Sequence, residues 1–244
     1  MLGAMVLFAG GCKIGIRVGV DTAADGSGNV VVTATLDQEA TNGLKDKVGG
    51  DLAVAFKTDD LVQAGWTITG PTTAKDGTTT IVASKPFTDP AGATAVVAEL
   101  SGANGPFKDF KVARRQGLFS TRTTFSGTVD LVAGAKQFGD EELRQQLGSE
   151  VGVDPAELER RERVVIDKFF GLSVVARLPG SLASTNAPGK AGNGALWEPK
   201  AGQQAQLIAS STIYRTVPIA GAAVTGFAAL VFVGLLGVRL ARRR

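Results

Sequence analysis

The chain has 244 residues, a net charge of +3 at pH 7, and no histidine. The chain has 26 basic and 23 acidic residues, and four of the basic residues are arginines at the C-terminus. Without these four, 22 basic residues stand against 23 acidic ones, so the positive charge comes from the C-terminal tail. A nucleic-acid-binding surface is therefore not predicted, and the commonest general base and metal ligand is absent.

The N-terminal segment resembles the start of a bacterial lipoprotein. Residues 7–11, Leu-Phe-Ala-Gly-Gly, place small residues directly before Cys12, the one cysteine of the chain. In such a segment the signal peptide is cut before the cysteine, which then carries lipid. Residues 1–11 are therefore predicted to be a signal peptide, truncated because it is short and has no Lys or Arg, and Cys12 to be the lipidation site. The alternative is an ordinary start with one buried cysteine. An internal disulfide is excluded.

Period-two alternation predicts paired strands near the start of the mature chain. Apolar residues alternate with polar residues and glycine over 14–20, and alternate again over 30–36, with a turn-forming segment between the two runs. These two strands are expected to form a hairpin. A short helix is expected over 38–48 and a third strand over 52–56, and another helix is expected to begin at Thr58, a capping residue.

The middle of the chain continues with strands around one helix. A second strand pair is predicted at 66–70 and 78–83, followed by a helix with Pro90 at its first turn. A short strand at 107–112 precedes the longest strand, at 119–131. One face of the longest strand carries Phe, Thr, Val and Leu, and the other face is wholly polar. One side of its sheet must therefore meet water or a polar layer.

The pattern changes to helix over 139–170, where a capping box precedes a second charged helix. We interpret its charged face as a solvated surface, with a partner-binding face as the alternative. A strand is predicted at 172–178, then a long loop to Ala195. Two closing strands follow, at 196–198 and 204–214.

Residues 216–238 are predicted to form a transmembrane helix. These 23 residues contain no charged side chain, and at about 1.5 Å per residue they can cross a hydrocarbon core of about 30 Å. Only Arg215 directly precedes the segment, whereas four arginines follow it, so the tail at 239–244 is expected to be cytoplasmic. A buried core helix is the alternative. The chain is thus predicted to be a single-pass protein of the cell membrane, with an extracytoplasmic domain at 12–215.

The predicted fold class is α+β, with a mostly antiparallel twisted sheet, two to four packed helices, and the C-terminal membrane helix. This order of parts resembles the LppM-like lipoproteins of actinobacteria, a family also described as a domain of unknown function in other bacteria. The resemblance rests on Cys12, the Asp-Gly-Ser-Gly turn at 25–28, the FSGTVDL strand at 125–131, and the run from Leu178 to Trp197. It implies an envelope lipoprotein with an α+β outer domain. The mycobacterial member is associated with binding mannosylated phosphatidylinositol lipids and with interference with the host phagosome.

No catalytic residue, metal site or cofactor is predicted, and the chain is not expected to be an enzyme, because Ser, Lys and carboxylate groups show no supporting spacing. The expected partners are membrane lipids, and envelope proteins are a further expectation.

We hypothesise that the outer domain binds a lipid or other hydrophobic ligand, with the acyl part between the sheet and the helices. The alternative is a protein-interaction scaffold of the cell envelope with a filled core and an exposed apolar patch. The ligand-binding residues are not assigned.

Overall fold

The computed structural model describes residues 13–47, 49–50, 52, 58–101, 105–132, 170–200 and 202–214. The predicted signal peptide, Cys12, the predicted helices over 139–169 and the predicted membrane span at 216–238 lie outside these residues. Within the described ranges, no helix has the length and apolar character needed to span a bilayer.

A seven-stranded sheet forms one layer of the domain. Its strands, in sheet order, are β3 (Thr67–Thr73), β4 (Thr79–Phe87), β2 (Gly28–Leu36), β1 (Ile14–Thr22), β7 (Phe170–Arg177), β10 (Gly194–Trp197) and β9 (Gly189–Ala191). The neighbours pair antiparallel, except that β1 and β7 are parallel. The predicted hairpin of the first two strands is confirmed by the register from Ile14 opposite Leu36 to Thr22 opposite Gly28.

A four-stranded antiparallel sheet forms a second layer. In sheet order its strands are β5 (Phe107–Gln116), β6 (Ser120–Asp130), β11 (Gln204–Tyr214) and β8 (Ser181–Thr185). Three helices complete the described elements: α1 (Gln38–Lys47), α2 (Asp59–Gln63) and α3 (Pro90–Ser101). The α+β class is confirmed, but the strands form two sheets where a single sheet was expected.

One hydrophobic core joins both sheets and α3. Phe125 of β6 is 1% exposed, and its ring contacts Phe110 of β5 and Trp197 of β10 at centroid distances of 5.6 and 5.8 Å. Val20 and Val174 bring the seven-stranded sheet into the same cluster, and Val97 brings α3. Phe125 therefore fills the space between the two sheets, and the predicted buried face of the longest strand is confirmed there.

Four local predictions are wrong at particular residues. Leu52, expected in a strand, is helical and buried, because a run of apolar residues and alanine does not separate the two periods. Phe119, expected on the patterned face, precedes the start of β6 and is 66% exposed. Phe170, expected to end a helix, begins β7. The expected loop to Ala195 contains β8 and β9, whose short sequences of mostly small or polar residues lack an apolar period.

The two chain ends of the described domain lie at opposite ends of the sheets. Ile14 begins β1 beside Leu36 and Phe170, whereas Asp21 near the end of β1 lies beside Arg177. From Arg177 the chain passes directly into β8, where Ser181 pairs with Thr212 near the end of β11. Tyr214 therefore lies at the end of the domain opposite Ile14.

Candidate functional site

A groove of about 640 Å³ lies on the seven-stranded sheet, on the side facing away from the main core. Gly15 and Arg17 of β1 lie directly opposite Gly171 and Ser173 of β7, and these residues alternate with the core residues of both strands. Successive side chains of a strand point to opposite faces, so this row lines the outer face. The groove residues are Gly15, Ile16, Arg17, Thr33, Thr35, Gly171, Leu172, Ser173, Glu198, Pro199 and Lys200.

Two glycines leave the base of the groove without side chains. Gly171 has no atom within 4 Å of the position that a Cβ would take, so the space above it is open. A Cβ on Gly15 would lie 2.6 Å from the Thr35 hydroxyl oxygen, which donates a hydrogen bond to the Gly15 carbonyl at 3.3 Å. Glycine at these two positions leaves backbone within reach of a ligand.

Two cations and one carboxylate surround the floor. The Nε of Arg17 donates to the Ser173 hydroxyl at 3.3 Å, which links the guanidinium to the neighbouring strand β7. Lys200 and Glu198 come from the segment between β10 and β11, and both are exposed. Within the part of the chain that the structure describes, neither Arg17 nor Lys200 has an acidic partner. Unpaired guanidinium and ammonium groups beside hydroxyls suit an anionic or hydroxyl-rich ligand group.

A second concavity, of about 370 Å³, lies at the other end of the same sheet. Arg177 Nη1 donates to both carboxylate oxygens of Asp21, at 2.9 and 3.2 Å, inside this concavity. Because Arg177 is already paired with Asp21, the second concavity is less suited to binding an anion than the first one is.

The clear pKa shifts of the described residues lie outside the groove. Hydrogen bonds from the Ser27 hydroxyl and backbone N–H lower the pKa of Asp25, and those from Thr78 lower the pKa of Asp76. Both residues belong to exposed turns. A hydrogen bond from Lys108 lowers the pKa of Asp130. These shifts reflect turn and cross-strand bonding, and they supply no general acid or base.

The groove was not predicted from the sequence, and the one predicted site residue, Cys12, lies outside the described residues. Four segments far apart in the chain build the groove, since Arg17 and Ser173 are 156 residues apart. The alternation over 14–20 did indicate an outward row of Gly and Arg. Within the described ranges, His, Cys, Asp and Glu form no group of three that could hold a metal ion.

Comparison with known proteins finds a solved structure that is similar to this chain. No family model matches the chain, and no curated protein matches it. It is similar to the NMR structure of the folded domain of LppM from Mycobacterium tuberculosis, at 12% identity and a TM-score of 0.44, over 88% of this chain and 98% of that one. That domain carries the name of the family that the sequence resembles. Membership of the family stays a prediction.

Proposed function

We propose that this chain is a membrane-anchored envelope protein whose outer domain binds the polar headgroup of a lipid or similar amphiphile. The anchors are the predicted span at 216–238 and lipid on Cys12. The binding site is the groove on the seven-stranded sheet.

The observation that carries the proposal is the chemistry of the groove. Its volume of about 640 Å³ lies within the range of about 300 to 1,000 Å³ found for small-molecule sites. Arg17 and Lys200 supply positive charge, and Thr33, Thr35 and Ser173 supply hydroxyl groups. Pro199 adds apolar side-chain surface, whereas the side chains of Ile16 and Leu172 pack in or against the core on the other face of the sheet. A charged or hydroxylated headgroup matches this mixture.

The site proposed here differs from the acyl site expected between the sheet and the helices. That interior is occupied at Phe125, Trp197 and Val97, which are buried in one packed cluster. A ligand in the outer groove is held by its headgroup, and its acyl chains remain outside the core.

Mass spectrometry of the full chain, extracted in mild detergent, tests the proposal. We expect near-stoichiometric lipid on the unaltered chain and its loss in Gly171→Leu, because a leucine side chain fills the open space above that glycine. Gly43→Leu is the matched control, since Gly43 also has no atom within 4 Å of a Cβ but lies outside the groove. Equal lipid in both variants contradicts the groove as the site. No lipid on the unaltered chain favours the scaffold alternative.

A further inference from the structure

An exposed apolar surface lies at the tip of the β5–β6 hairpin, away from the groove. Leu118 is 85% exposed and Phe119 is 66% exposed, and both lie in the turn closed by the Gly117 N–H bond to the Ser120 carbonyl. Tyr214, at the end of β11, is 80% exposed and lies directly opposite Ser120. These three exposed apolar and aromatic side chains therefore lie at the same end of the four-stranded sheet.

Positive charge lies directly behind these residues. Arg115 of β5 and Arg122 of β6 are exposed and directly opposite each other in the register. Like charges in opposed positions destabilise a sheet when water alone surrounds them. In the ranges that the structure describes, neither arginine has a carboxylate partner, so the pair is complementary to an anionic surface. We call Arg115, Leu118, Phe119, Arg122 and Tyr214 the tip surface.

The sequence that follows Tyr214 indicates that the tip surface faces a membrane. Arg215 follows, and the uncharged apolar run predicted to span the membrane begins at residue 216. A two-residue interval reaches only about 7 Å. The tip surface therefore lies beside the point where the predicted span enters the bilayer.

We infer that the tip surface docks on the bilayer, with Leu118, Phe119 and Tyr214 in the interfacial layer and the two arginines on anionic lipid headgroups. Aromatic side chains favour the membrane interface, and basic side chains near it are attracted to anionic lipids. This contact goes beyond the proposed function, because it sets how the domain stands on the membrane, and it rests on the predicted span but not on the groove.

Tryptophan quenching by brominated lipids tests the inference in the full chain, with Cys12→Ser so that the second predicted anchor is absent. Phe119→Trp places a probe on the tip surface. Val132→Trp is the matched control, because Val132 is an exposed apolar residue just beyond the opposite end of β6. The native Trp66 and Trp197 are each 3% exposed and give a common background.

In vesicles of phosphatidylcholine with phosphatidylglycerol, we expect Phe119→Trp to show blue-shifted emission and quenching by bromolipid, and Val132→Trp to show neither. Adding Arg115→Gln and Arg122→Gln is expected to reduce the quenching in these vesicles and to leave it unchanged in pure phosphatidylcholine. The inference is overturned if both probes are quenched equally. It is also overturned if the probe at 119 is shielded from aqueous acrylamide without bromolipid quenching, which indicates a protein occupant, or if the chain fails to float with the vesicles.

Discussion

Lys13 and Tyr214 lie at opposite ends of the domain. The backbone N–H of Lys13 donates to Asp37 Oδ2 at 2.7 Å, which holds the first residue of the described domain at one end of the seven-stranded sheet. Tyr214 lies opposite Ser120, at the far end of an 11-residue strand. A strand of that length spans about 35 Å. If Cys12 is acylated and 216–238 spans the same membrane, both ends of the domain are held at the bilayer, whereas the span alone holds only the Tyr214 end.

Removing both predicted anchors is expected to release the domain. Truncation before Thr216 leaves one lipidated cysteine, and Cys12→Ser leaves the span, so each single change retains membrane association. The truncated chain is retained weakly, because one acyl chain gives only marginal binding. The combined variant is expected in the soluble fraction. Retention of the combined variant with membranes, measured by fractionation, contradicts the two-anchor proposal.

Reversing the charge at Lys200 is expected to weaken binding of an anionic lipid. Lys200→Glu places two carboxylates beside the groove, since Glu198 already lines it. We expect about a tenfold loss of affinity, which corresponds to about 1.4 kcal/mol. Lys190→Glu makes the same charge change at an exposed residue of β9, outside the groove. Isothermal titration with a short-chain anionic lipid measures both variants, and an equal loss in the two would show a non-specific charge effect.

Truncating Phe125 is expected to destabilise the domain strongly. Phe125→Ala removes a ring that touches Phe110 and Trp197 and leaves a cavity between the sheets, at a cost of about 3 to 5 kcal/mol. Phe119→Ala should change the free energy of unfolding by less than about 0.5 kcal/mol, because that side chain is mostly exposed. Chemical denaturation followed by tryptophan fluorescence compares them. A small effect at Phe125 would show that the core is not closed there.

Glu99 of α3 ties the helix to the seven-stranded sheet. Its carboxylate accepts the Trp66 indole N–H at 3.0 Å and the Lys85 ammonium at 2.7 Å. Glu99→Ala leaves the Trp66 donor without its partner, and we expect a loss of about 1 to 3 kcal/mol. Lys108→Ala removes an exposed ion pair with Asp130 and should cost about 0 to 1 kcal/mol. Thermal melts of both variants check this order, and the reverse order would contradict it.

Acid is expected to destabilise the domain partly through its turns. The Ser27 bonds hold the pKa of Asp25 below its ordinary 3.8, and the Thr78 bonds do the same for the pKa of Asp76. A lowered folded pKa contributes stability above the ordinary value, and this contribution is lost as pH falls below 3.8 through the folded pKa. Replacing both residues with Asn should therefore lower the melting temperature less at acidic pH than at neutral pH. An equal decrease at both pH values would exclude this contribution.

Much of the strand content was predictable, because one-sided burial leaves a local mark. The strands β1, β2, β6 and β7 carry residues of the buried face at every second position, mostly separated by polar residues or glycine, and the structure confirms each of these strands. The edge strands β8 and β9 carry small, mostly exposed residues, so their sequences hold no such period. Their formation depends on partners elsewhere in the chain.

The sequence by itself determined the strand-rich α+β class, the first hairpin and the start of α3 at Pro90. Each of these follows from interactions between residues close together in the chain: alternation, turn chemistry and capping. Only the tertiary structure decided that β1 lies parallel to β7, that the strands divide into two sheets, and that Arg17 meets Ser173. Those pairings join residues far apart in the chain and are selected by burial of the shared core around Phe125, because local alternation predicts which face of a strand is buried but not which strand it packs against.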